Sequence, residues 1–330
     1  MAVTVRDVAR AAGVSQATAA RVLGEYGYAS MDARRRVLDS AANLGYTPNG
    51  VARALVSRAT HTVGLVVGDI DNPFFAAVAR GLSDVVESQG YTLLLANADE
   101  DPERERRAMR ALRSRRVDGL VVVPAPGAGR SSFQDSPPLV QLDRAVPGVA
   151  ADAVMVRNGA GAAGAVDHLL ALGHTRIGMV SDSPAISSSA ERLSGYRRAL
   201  RPRGLLDESL ISIGGSSQAE GHRAALALLG RRDRPTAIFT ANNFMTHGSL
   251  LAARELGLRI PGDLALVGFD DLDWTTLIDP PLTVVSQPVT ELGRVAGERL
   301  LRRIGGEDGP PRRIRLDTRL IVRGSCGAVP

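Results

Sequence analysis

The sequence predicts an α/β protein in which an N-terminal three-helix helix-turn-helix head precedes a two-lobed body with parallel sheets. The first sixty residues contain three short segments, each with its own helix-start signal. From His61 onward, apolar runs alternate with helical patterns, which is typical of parallel sheets in α/β domains. With 330 residues, 44% of them hydrophobic, the chain is long enough for two or three domains of this kind.

The composition excludes several other classes of protein. A chain with 44% hydrophobic and 23% charged residues is neither disordered nor collagen-like. The single cysteine, Cys326, allows no intrachain disulfide and no thiol cluster for zinc or iron–sulfur, so we expect neither a metal site nor a cofactor. No apolar run approaches the roughly 20 residues that span a bilayer, and the start lacks the apolar stretch of a secretory signal. We therefore expect a cytoplasmic protein with no membrane partner.

Positive charge is concentrated near the N-terminus. All 40 basic residues are arginines. Residues 1–60 hold eight arginines and four acidic residues, whereas the other 270 residues hold 32 arginines and 31 acidic residues. This distribution predicts a nucleic-acid-binding segment on a nearly neutral body, and a solvated basic face is the alternative that charge alone leaves open.

The first two predicted helices are separated by a short turn. Thr4, followed three residues later by Asp7, forms a capping-box-like start for a short first helix. Gly13 ends that helix, and Ser15 caps a second helix over residues 16–23. Two short helices joined by a three-residue turn form the helix-turn-helix unit.

A third helix is predicted to complete the head. Ser30 begins it and Gly45 ends it. The apolar residues that we expect to close a three-helix core are Val37, Leu38, Ala41 and Leu44. From the pattern alone, a generic small helical bundle satisfies the same spacing.

Two sets of predicted strands follow His61. The first set is Val63–Val67, Thr92–Ala96 and Gly119–Val123, with helices near 74–89 and 102–115; the second set is Ala153–Val156, Ile177–Val180, Ala237–Thr240 and Ala265–Phe269. Two similar βα halves predict two lobes. Lobes of this kind bind small ligands between them, at the carboxyl ends of the strands.

The motifs of the chain carry a family resemblance. They are Asp7-Val8-Ala9, Gly13-Val14-Ser15, Arg21-Val22-Leu23, Gly45-Tyr46, Pro48-Asn49, Ala52-Arg53 and Leu55, and in the body Asp71–Phe75, Leu142–Arg144, Ala190–Tyr196, Ala241–Asn243, Val267–Asp271 and Pro280–Thr283. Over nearly its whole length the chain resembles the LacI/GalR family of bacterial transcription regulators.

The resemblance implies a domain organisation. It places a helix-turn-helix DNA-binding domain at 1–47, a hinge segment at 48–60, and a two-lobed, periplasmic-binding-protein-like domain for effector binding and dimerisation at 61–330. Crossovers between the lobes are expected near 145–150, 285–288 and 316–319.

The resemblance also implies a sequence-specific DNA-binding transcriptional regulator, expected to be a repressor. A homodimer reads a palindromic operator because two heads on symmetric half-sites add affinity and fix their spacing. The implied DNA-binding residues are Thr4, Ser15, Gln16, Ala17, Thr18, Arg21, Asn49, Arg53 and Leu55. Gln16 offers a base edge both a donor and an acceptor, and Arg21 can pair with guanine or phosphate. Leu55 is the expected minor-groove wedge, with packing of Leu55 on the body as the alternative.

A small effector is expected between the lobes. By match to the family, Phe74 forms an apolar wall, and the hydrogen-bonding residues are Asp143, Arg192, Asn242 and Asp270. Carboxylates and a guanidinium suit a polyhydroxylated ligand, so we expect a sugar or sugar derivative. The alternatives are that Asp143 and Arg192 pair with each other, that Asn242 and Asp270 cap helices, and that Phe74 belongs to the core.

The main alternative function comes from a glycine-rich segment. Residues 159–164 fit G-x-G-x-x-G, follow a strand and open a helix, and Asp182 lies where a ribose-binding acid would be expected. An NAD-dependent enzyme or a solute-binding protein are therefore the alternatives. However, Arg157 and Asn158 separate the strand from the first glycine, and no acid–base constellation is visible in the sequence. We expect a protein that is not an enzyme.

Overall fold

The computed structural model of the chain describes residues 3–24, 27–46 and 59–327. They divide into two compact units. The helical unit is Met1–Thr62 with Arg116–Asp118, and the α/β unit is Val63–Arg115 with Gly119–Pro330. Within the described ranges, no helix has the length and apolar character needed to cross a membrane.

The helical unit contains the three expected helices. They are α1 (Val5–Ala12), α2 (Gln16–Leu23) and α3 (Met31–Asn43). The backbone N–H of Thr4 donates to Asp7 at 3.0 Å, and Ser15 and Ser30 accept from backbone N–H groups in the first turns of α2 and α3. Gly13 ends α1 with a left-handed φ of 63°, a conformation that favours glycine. The helix-turn-helix prediction is confirmed.

The core of the helical unit is smaller than predicted. Its buried residues are Val8, Ala9, Ala12, Ala19, Val22, Val37 and Ala41. Val37 and Ala41 are buried as expected, but the prediction for Leu38 and Leu44 is wrong, because their exposed fractions are 49% and 39%. Val37 and Ala41 lie one turn apart on the same face of α3, whereas Leu38 is rotated about 100° from Val37 and Leu44 follows the end of the helix.

The α/β unit consists of alternating strands and helices. The strands are β1 (Thr62–Val67), β2 (Thr92–Asn97), β3 (Gly119–Val122), β4 (Leu139–Leu142), β5 (Asp152–Val156), β6 (Ile177–Ser181), β7 (Ile211–Ile213), β8 (Ala237–Thr240), β9 (Ala265–Phe269), β10 (Thr283–Ser286), β11 (Arg313–Leu316) and β12 (Arg319–Ile321). The α-helices are α4 (Pro73–Ser88), α5 (Pro102–Ser114), α6 (Asn158–Ala171), α7 (Ser187–Leu200), α8 (Gln218–Leu229), α9 (Asn243–Glu255) and α10 (Val289–Ile304).

The strands form two sheets, one in each lobe. The sheet of the first lobe has the order β11-β5-β4-β3-β1-β2, and the sheet of the second lobe has the order β12-β10-β9-β8-β6-β7. In the first lobe β3 pairs in parallel with both β1 and β4, and in the second lobe β8 pairs in parallel with both β6 and β9. β12 is antiparallel to β10. The prediction of a two-lobed body with parallel sheets is confirmed.

The chain passes between the lobes three times in the described body. The expected first passage near 145–150 is wrong, because β5 pairs with β4 and β11 in the sheet of the first lobe. The chain first leaves that sheet after Val156 and enters the second with β6. The later passages lie between β10 and α10, and between β11 and β12. The short connection between β4 and β5 therefore belongs to the first lobe.

The glycine-rich segment 159–164 lies inside a helix. A dinucleotide-binding turn needs its first glycine at the end of a strand, whereas this segment occupies the first turns of α6. The helix packs closely on α7, since a Cβ atom placed on Gly195 would lie 2.3 Å from the carbonyl oxygen of Gly159. Gly159 thus lies at the contact between α6 and α7, and the NAD-dependent alternative is not favoured.

Close packing of α6 on α7 predicts opposite effects for two glycine substitutions. We expect Gly195→Ala to lower the free energy of unfolding by about 1–3 kcal/mol, because its Cβ would force the two backbones apart. Gly164→Ala is the matched control on α6, where no atom lies within 4 Å of the added Cβ, and it should raise that free energy by about 0.5–1 kcal/mol. Urea denaturation measures both. Equal effects of the two substitutions would contradict this packing.

Candidate functional site

The N-terminal end of α2 presents polar side chains to solvent. Ser15, Gln16 and Ala17 are exposed, and Thr18 is half-buried. Ser15 Oγ lies 2.9 Å from Thr18 Oγ1 and accepts from the Thr18 backbone N–H at 3.1 Å. Ser15 and Thr18 therefore fix the start of the helix, while the side chains of Gln16 and Ala17 are exposed.

Arg21 and Thr4 lie on the same unit. Arg21 Nε donates to the carbonyl of Ala17 at 3.3 Å, Nη1 donates to the carbonyl of Tyr28 at 3.3 Å, and no carboxylate of the described residues pairs with it. The hydroxyl of Thr4 donates to Asp7 at 2.6 Å. The two hydrogen bonds of Arg21 hold it against the helical unit, whereas Thr4 has a capping role within it. The other DNA-binding predictions, Asn49, Arg53 and Leu55, lie outside the described residues.

A cleft opens between the two lobes at the carboxyl ends of their strands. It is lined by Asn72, Phe74, Phe75, Asp143, Arg144, Asp182, Ile186, Ser188, Ser189, Arg192, Asn242, Asp270 and Gln287. All five side chains expected to bind the effector line this cleft. Their sequence separation is large, but parallel strands bring their carboxyl ends to one edge of each sheet.

The cleft is narrow. Its cavity volume is 40 Å³, although small-molecule sites are usually about 300–1,000 Å³. A second cavity of 240 Å³ adjoins it and shares Arg144 and Ile186 with the cleft. The second cavity is lined mainly by Ala, Val, Ile and Pro side chains. A sugar would therefore require the lobes or their side chains to move.

Two cleft carboxylates occupy strained backbone positions. Asp143 and Asp270 follow β4 and β9 with φ values of 61° and 81°. Residues other than glycine rarely adopt this left-handed region, and such positions cluster at functional sites. This backbone conformation sets the direction in which each carboxylate leaves the end of its strand.

Asp143 pairs with its neighbour rather than with Arg192. Its Oδ2 accepts from Arg144 Nε at 3.2 Å and from Ser188 Oγ, on α7 of the second lobe, at 3.4 Å. Arg144 Nη2 also donates to Glu100 at 2.7 Å. The alternative of an Asp143–Arg192 ion pair is therefore wrong, and Asp143 instead connects the two lobes.

Arg192 is held rigidly in the second lobe. Its Nε donates to Asn158 Oδ1 at 2.8 Å, and its Nη1 donates to the carbonyl of Ala241 at 2.6 Å. The guanidinium carbon lies 3.8 Å from the centre of the Phe269 ring, a cation–π contact. These contacts orient the guanidinium without neutralising its charge.

Asn242 has two separate roles. Its Oδ1 accepts from the backbone N–H of Met245 at 2.9 Å, so the capping alternative is correct for this atom. Its Nδ2 donates to Asp182 Oδ2 at 2.9 Å. Capping of α9 therefore fixes the amide that holds Asp182 in the cleft.

Asp270 is buried among hydrogen-bond donors. Its Oδ2 accepts from the backbone N–H and the Nδ2 of Asn243, each at 3.2 Å, and its Oδ1 accepts from Gln287 Nε2. Burial raises the pKa of Asp270, although Arg192 and these hydrogen bonds act in the opposite direction. Asn243 Nδ2 also donates to Asn72 Oδ1 at 2.9 Å, which is a second bond between the lobes.

The aromatic side chains Phe74 and Trp274 lie in different surroundings. Phe74 is 6% exposed and belongs to the core of the first lobe, where it contacts Phe75 edge to face, and it also lines the cleft. Trp274 packs against the apolar cluster of the second lobe and beside His247, with 5.6 Å between ring centres. Phe74 is therefore both wall and core, whereas Trp274 is not a cleft residue.

Several cleft side chains are not predicted as ligand contacts from the sequence. They are Asp182, whose sequence context indicates only a ribose-binding acid, and Arg144, Ser188 and Gln287. Asp182 and Gln287 each follow a strand, β6 and β10, so their position at a strand end was the available signal. In the described parts of the chain, no group of His, Cys, Asp and Glu side chains is arranged to hold a metal ion.

A buried carboxyl group, that of Glu105, interacts electrostatically with Arg144. Glu105, on α5, is fully buried, and its Oε2 accepts from the backbone N–H of Ala125 at 2.6 Å. Burial raises the pKa of Glu105 to about 7, although Ala125 and Arg144 lower it. Because the pKa is higher in the folded protein, Glu105 contributes stability that is present at low pH and is lost as the pH rises through about 7.

This titration predicts a pH-dependent effect of Glu105→Gln. Relative to the native chain, the substitution should stabilise the protein by about 2–3 kcal/mol more at pH 8 than at pH 4.5, because glutamine carries no charge to bury. Urea denaturation at both pH values measures the difference. The control is Glu103→Gln, an exposed carboxyl group on the same helix, for which the difference should vanish. A pH-independent effect of Glu105→Gln would show that Glu105 does not titrate in this range.

Known proteins resemble the chain along most of its length. The model of bacterial regulatory proteins of the lacI family matches residues 4–49, and that of the periplasmic binding protein-like domain matches residues 166–326. The HTH-type transcriptional regulator GalS of Salmonella typhimurium is 37% identical over 92% of this chain and 91% of its own. The ribose operon repressor of Halalkalibacterium halodurans is 34% identical over 97% of this chain and 96% of its own. The lac repressor dimer bound to operator and the anti-inducer ONPF matches with a TM-score of 0.88 and 26% identity over 99% of this chain and 100% of its own.

Proposed function

The chain belongs to the lacI family of bacterial regulatory proteins, and we propose that it is a sequence-specific transcriptional repressor whose DNA binding is controlled by a small effector. One observation carries this proposal. A single chain combines a helix-turn-helix that exposes the first residues of its second helix with a body whose strand ends meet at a buried polar cleft. The first feature suits a DNA reader and the second suits a ligand sensor.

The DNA-binding surface follows from the helical unit. We propose that α2 enters the major groove, where Gln16 reads a base edge, Ala17 makes an apolar contact and Arg21 pairs with guanine or phosphate. The exposure of Gln16 and Ala17, and the absence of a carboxylate partner for Arg21 among the described residues, support this assignment. In the proposed organisation the DNA-binding domain is 1–47, and the hinge at 48–60 brings Asn49, Arg53 and Leu55 to the operator, Leu55 as a minor-groove wedge.

A homodimer is the proposed working unit. Edge strand β2 exposes 42% of Leu95, and α9 exposes 37% of Leu251, so both lobes present apolar surface that a second copy can cover. A two-fold dimer presents two reading helices to a palindromic operator. The lac repressor, which is similar over the whole chain, is a dimer on its operator.

The proposed effector is a sugar or sugar derivative bound by residues 61–330. Asp143, Arg192, Asn242 and Asp270 supply charged and amide groups that can each bond hydroxyl groups, and Phe74 supplies an apolar wall. A relative named ribose operon repressor supports this ligand class. The chain is similar to proteins named as regulators, and we propose that it has no catalytic activity and acts in the cytoplasm, where its operator is located.

Operator recognition can be tested by selecting duplexes with the purified full chain and measuring affinity at several salt concentrations. We expect a palindromic sequence and a steep salt dependence, with a slope of about −0.9 for each phosphate contact. Gln16→Ala should weaken binding to the selected duplex about 5- to 150-fold with the salt slope unchanged, because it removes a base contact. The control is Gln89→Ala, an exposed glutamine of the body, which should have no effect. A flat salt profile and no preferred duplex would contradict the assignment.

The separate roles of Leu55 and Arg192 predict opposite phenotypes. Leu55→Ala should lower operator affinity and leave effector binding intact, whereas Arg192→Ala should abolish the effector response and leave a folded, DNA-binding dimer. Calorimetry measures effector binding, and thermal denaturation verifies the fold. Equal loss of both activities by Leu55→Ala would place Leu55 in the core, and normal effector binding by Arg192→Ala would show that the cleft is not the effector site.

A further inference from the structure

The cleft contains buried oxygen atoms whose hydrogen-bonding capacity is unused. Among the described side chains that line it, Asp182 Oδ1 and Gln287 Oε1 are buried and have no hydrogen-bond partner. Both atoms are acceptors, and no buried donor in this lining is left unpaired. A buried acceptor without a partner is costly, typically about 1–3 kcal/mol, so such atoms in a cleft indicate a ligand that donates to them.

Asp182 is fixed in the orientation that leaves Oδ1 free. The residue follows β6, is 5% exposed, and accepts at Oδ2 from Asn242 Nδ2, which is itself held by the cap of α9. Burial raises the pKa of Asp182, and the hydroxyl of Ser189 with Arg192 and Arg144 opposes the rise. Oδ1 is the oxygen of this cleft carboxyl group that has no hydrogen-bond partner.

The orientation of the Gln287 amide is also determined. Gln287 lies between β10 and α10, where the chain passes from the second lobe to the first, and is 8% exposed. Because Asp270 Oδ1 can only accept, the Gln287 nitrogen faces it, and Oε1 is the atom left without a partner.

The charges that line the cleft favour the same ligand chemistry. Three carboxyl groups, those of Asp143, Asp182 and Asp270, face two guanidinium groups, those of Arg144 and Arg192. Arg144 forms an ion pair with Glu100, so Arg192 is the one guanidinium of this lining without an ion pair in the described chain. The lining is acidic and rich in acceptors.

On the premise of the effector-controlled function proposed above, we propose that Asp182 is a third carboxylate of the effector site and that the effector is an uncharged, polyhydroxylated carbohydrate. Each sugar hydroxyl donates one hydrogen bond and can satisfy Asp182 Oδ1 or Gln287 Oε1. A phosphorylated or carboxylated sugar adds acceptors and negative charge where the cleft already has both. The site therefore selects against anionic sugars.

Titration calorimetry with the full-length chain tests the ligand class. The uncharged probes are D-ribose, D-galactose and cellobiose, and the anionic probes are D-ribose 5-phosphate and D-galactose 6-phosphate. We expect at least one uncharged probe to bind, with the matched phosphate at least tenfold weaker. Binding of no uncharged probe, or tighter binding of a phosphate, would overturn the proposed class.

Two substitutions test the role of Asp182. Asp182→Asn keeps an oxygen for Asn242 but turns a donor toward the cavity, so we expect at least tenfold weaker binding of the uncharged sugar and a smaller difference between sugar and phosphate. Asp273→Asn is the matched control, since Asp273 is an exposed carboxylate of the second lobe. Unchanged sugar affinity in a folded Asp182→Asn protein would overturn the assignment of Asp182.

Operator binding, measured in parallel by electrophoretic mobility shift, separates this inference from the proposed function. We expect the Asp273→Asn control without sugar to bind the operator as the native chain does. If the native chain prefers uncharged sugars but shows no preferred duplex, the repressor function fails while the assignment of the cleft stands. If it binds the operator but prefers anionic sugars, the cleft assignment fails alone.

Discussion

Side-chain hydrogen bonds across the cleft hold the two lobes around a cavity too small for a sugar. Asn243 on the second lobe donates to Asn72 on the first, and Ser188 on the second lobe donates to Asp143 on the first. The cavity volume of the cleft is 40 Å³. An effector can enter only when these contacts change, so ligand binding and the arrangement of the lobes form a single equilibrium. The response to an effector follows from this constraint.

The same side chains explain why a small change in binding free energy can change the arrangement of the lobes. Asp143 sits on strained backbone at the end of β4, and its hydrogen bond with Ser188 reaches across to α7 of the opposite lobe. When a hydroxyl group of the ligand replaces a hydrogen bond between the lobes, one hydrogen bond is lost and another is gained. The difference in free energy between the two arrangements of the lobes therefore stays small. Coupling energies of about 1–3 kcal/mol are typical of allosteric proteins and correspond to roughly 5- to 150-fold changes in affinity.

The sequence predicts an element best where the signal comes from neighbouring residues. The apolar run Val63–Val67 predicts a buried strand, and Ser15 and Ser30 predict helix starts, because hydrophobic patterning and helix capping are local properties. β11, with two arginines in four residues, was not predicted, because its pairing with β5 determines it. The cleft residues followed from family motifs, whereas the free oxygen of Asp182 depends on Asn242, sixty residues away in the chain. Contacts of that kind require the fold.

Reciprocal affinity measurements test whether the cleft and the DNA reader share one equilibrium. Operator affinity is measured with and without a saturating sugar that binds the cleft, and sugar affinity is measured with and without operator. We expect both affinities to change by the same factor, about 5- to 150-fold, because coupling between two binding sites is reciprocal. A factor of one, with sugar and operator each bound independently, would contradict it.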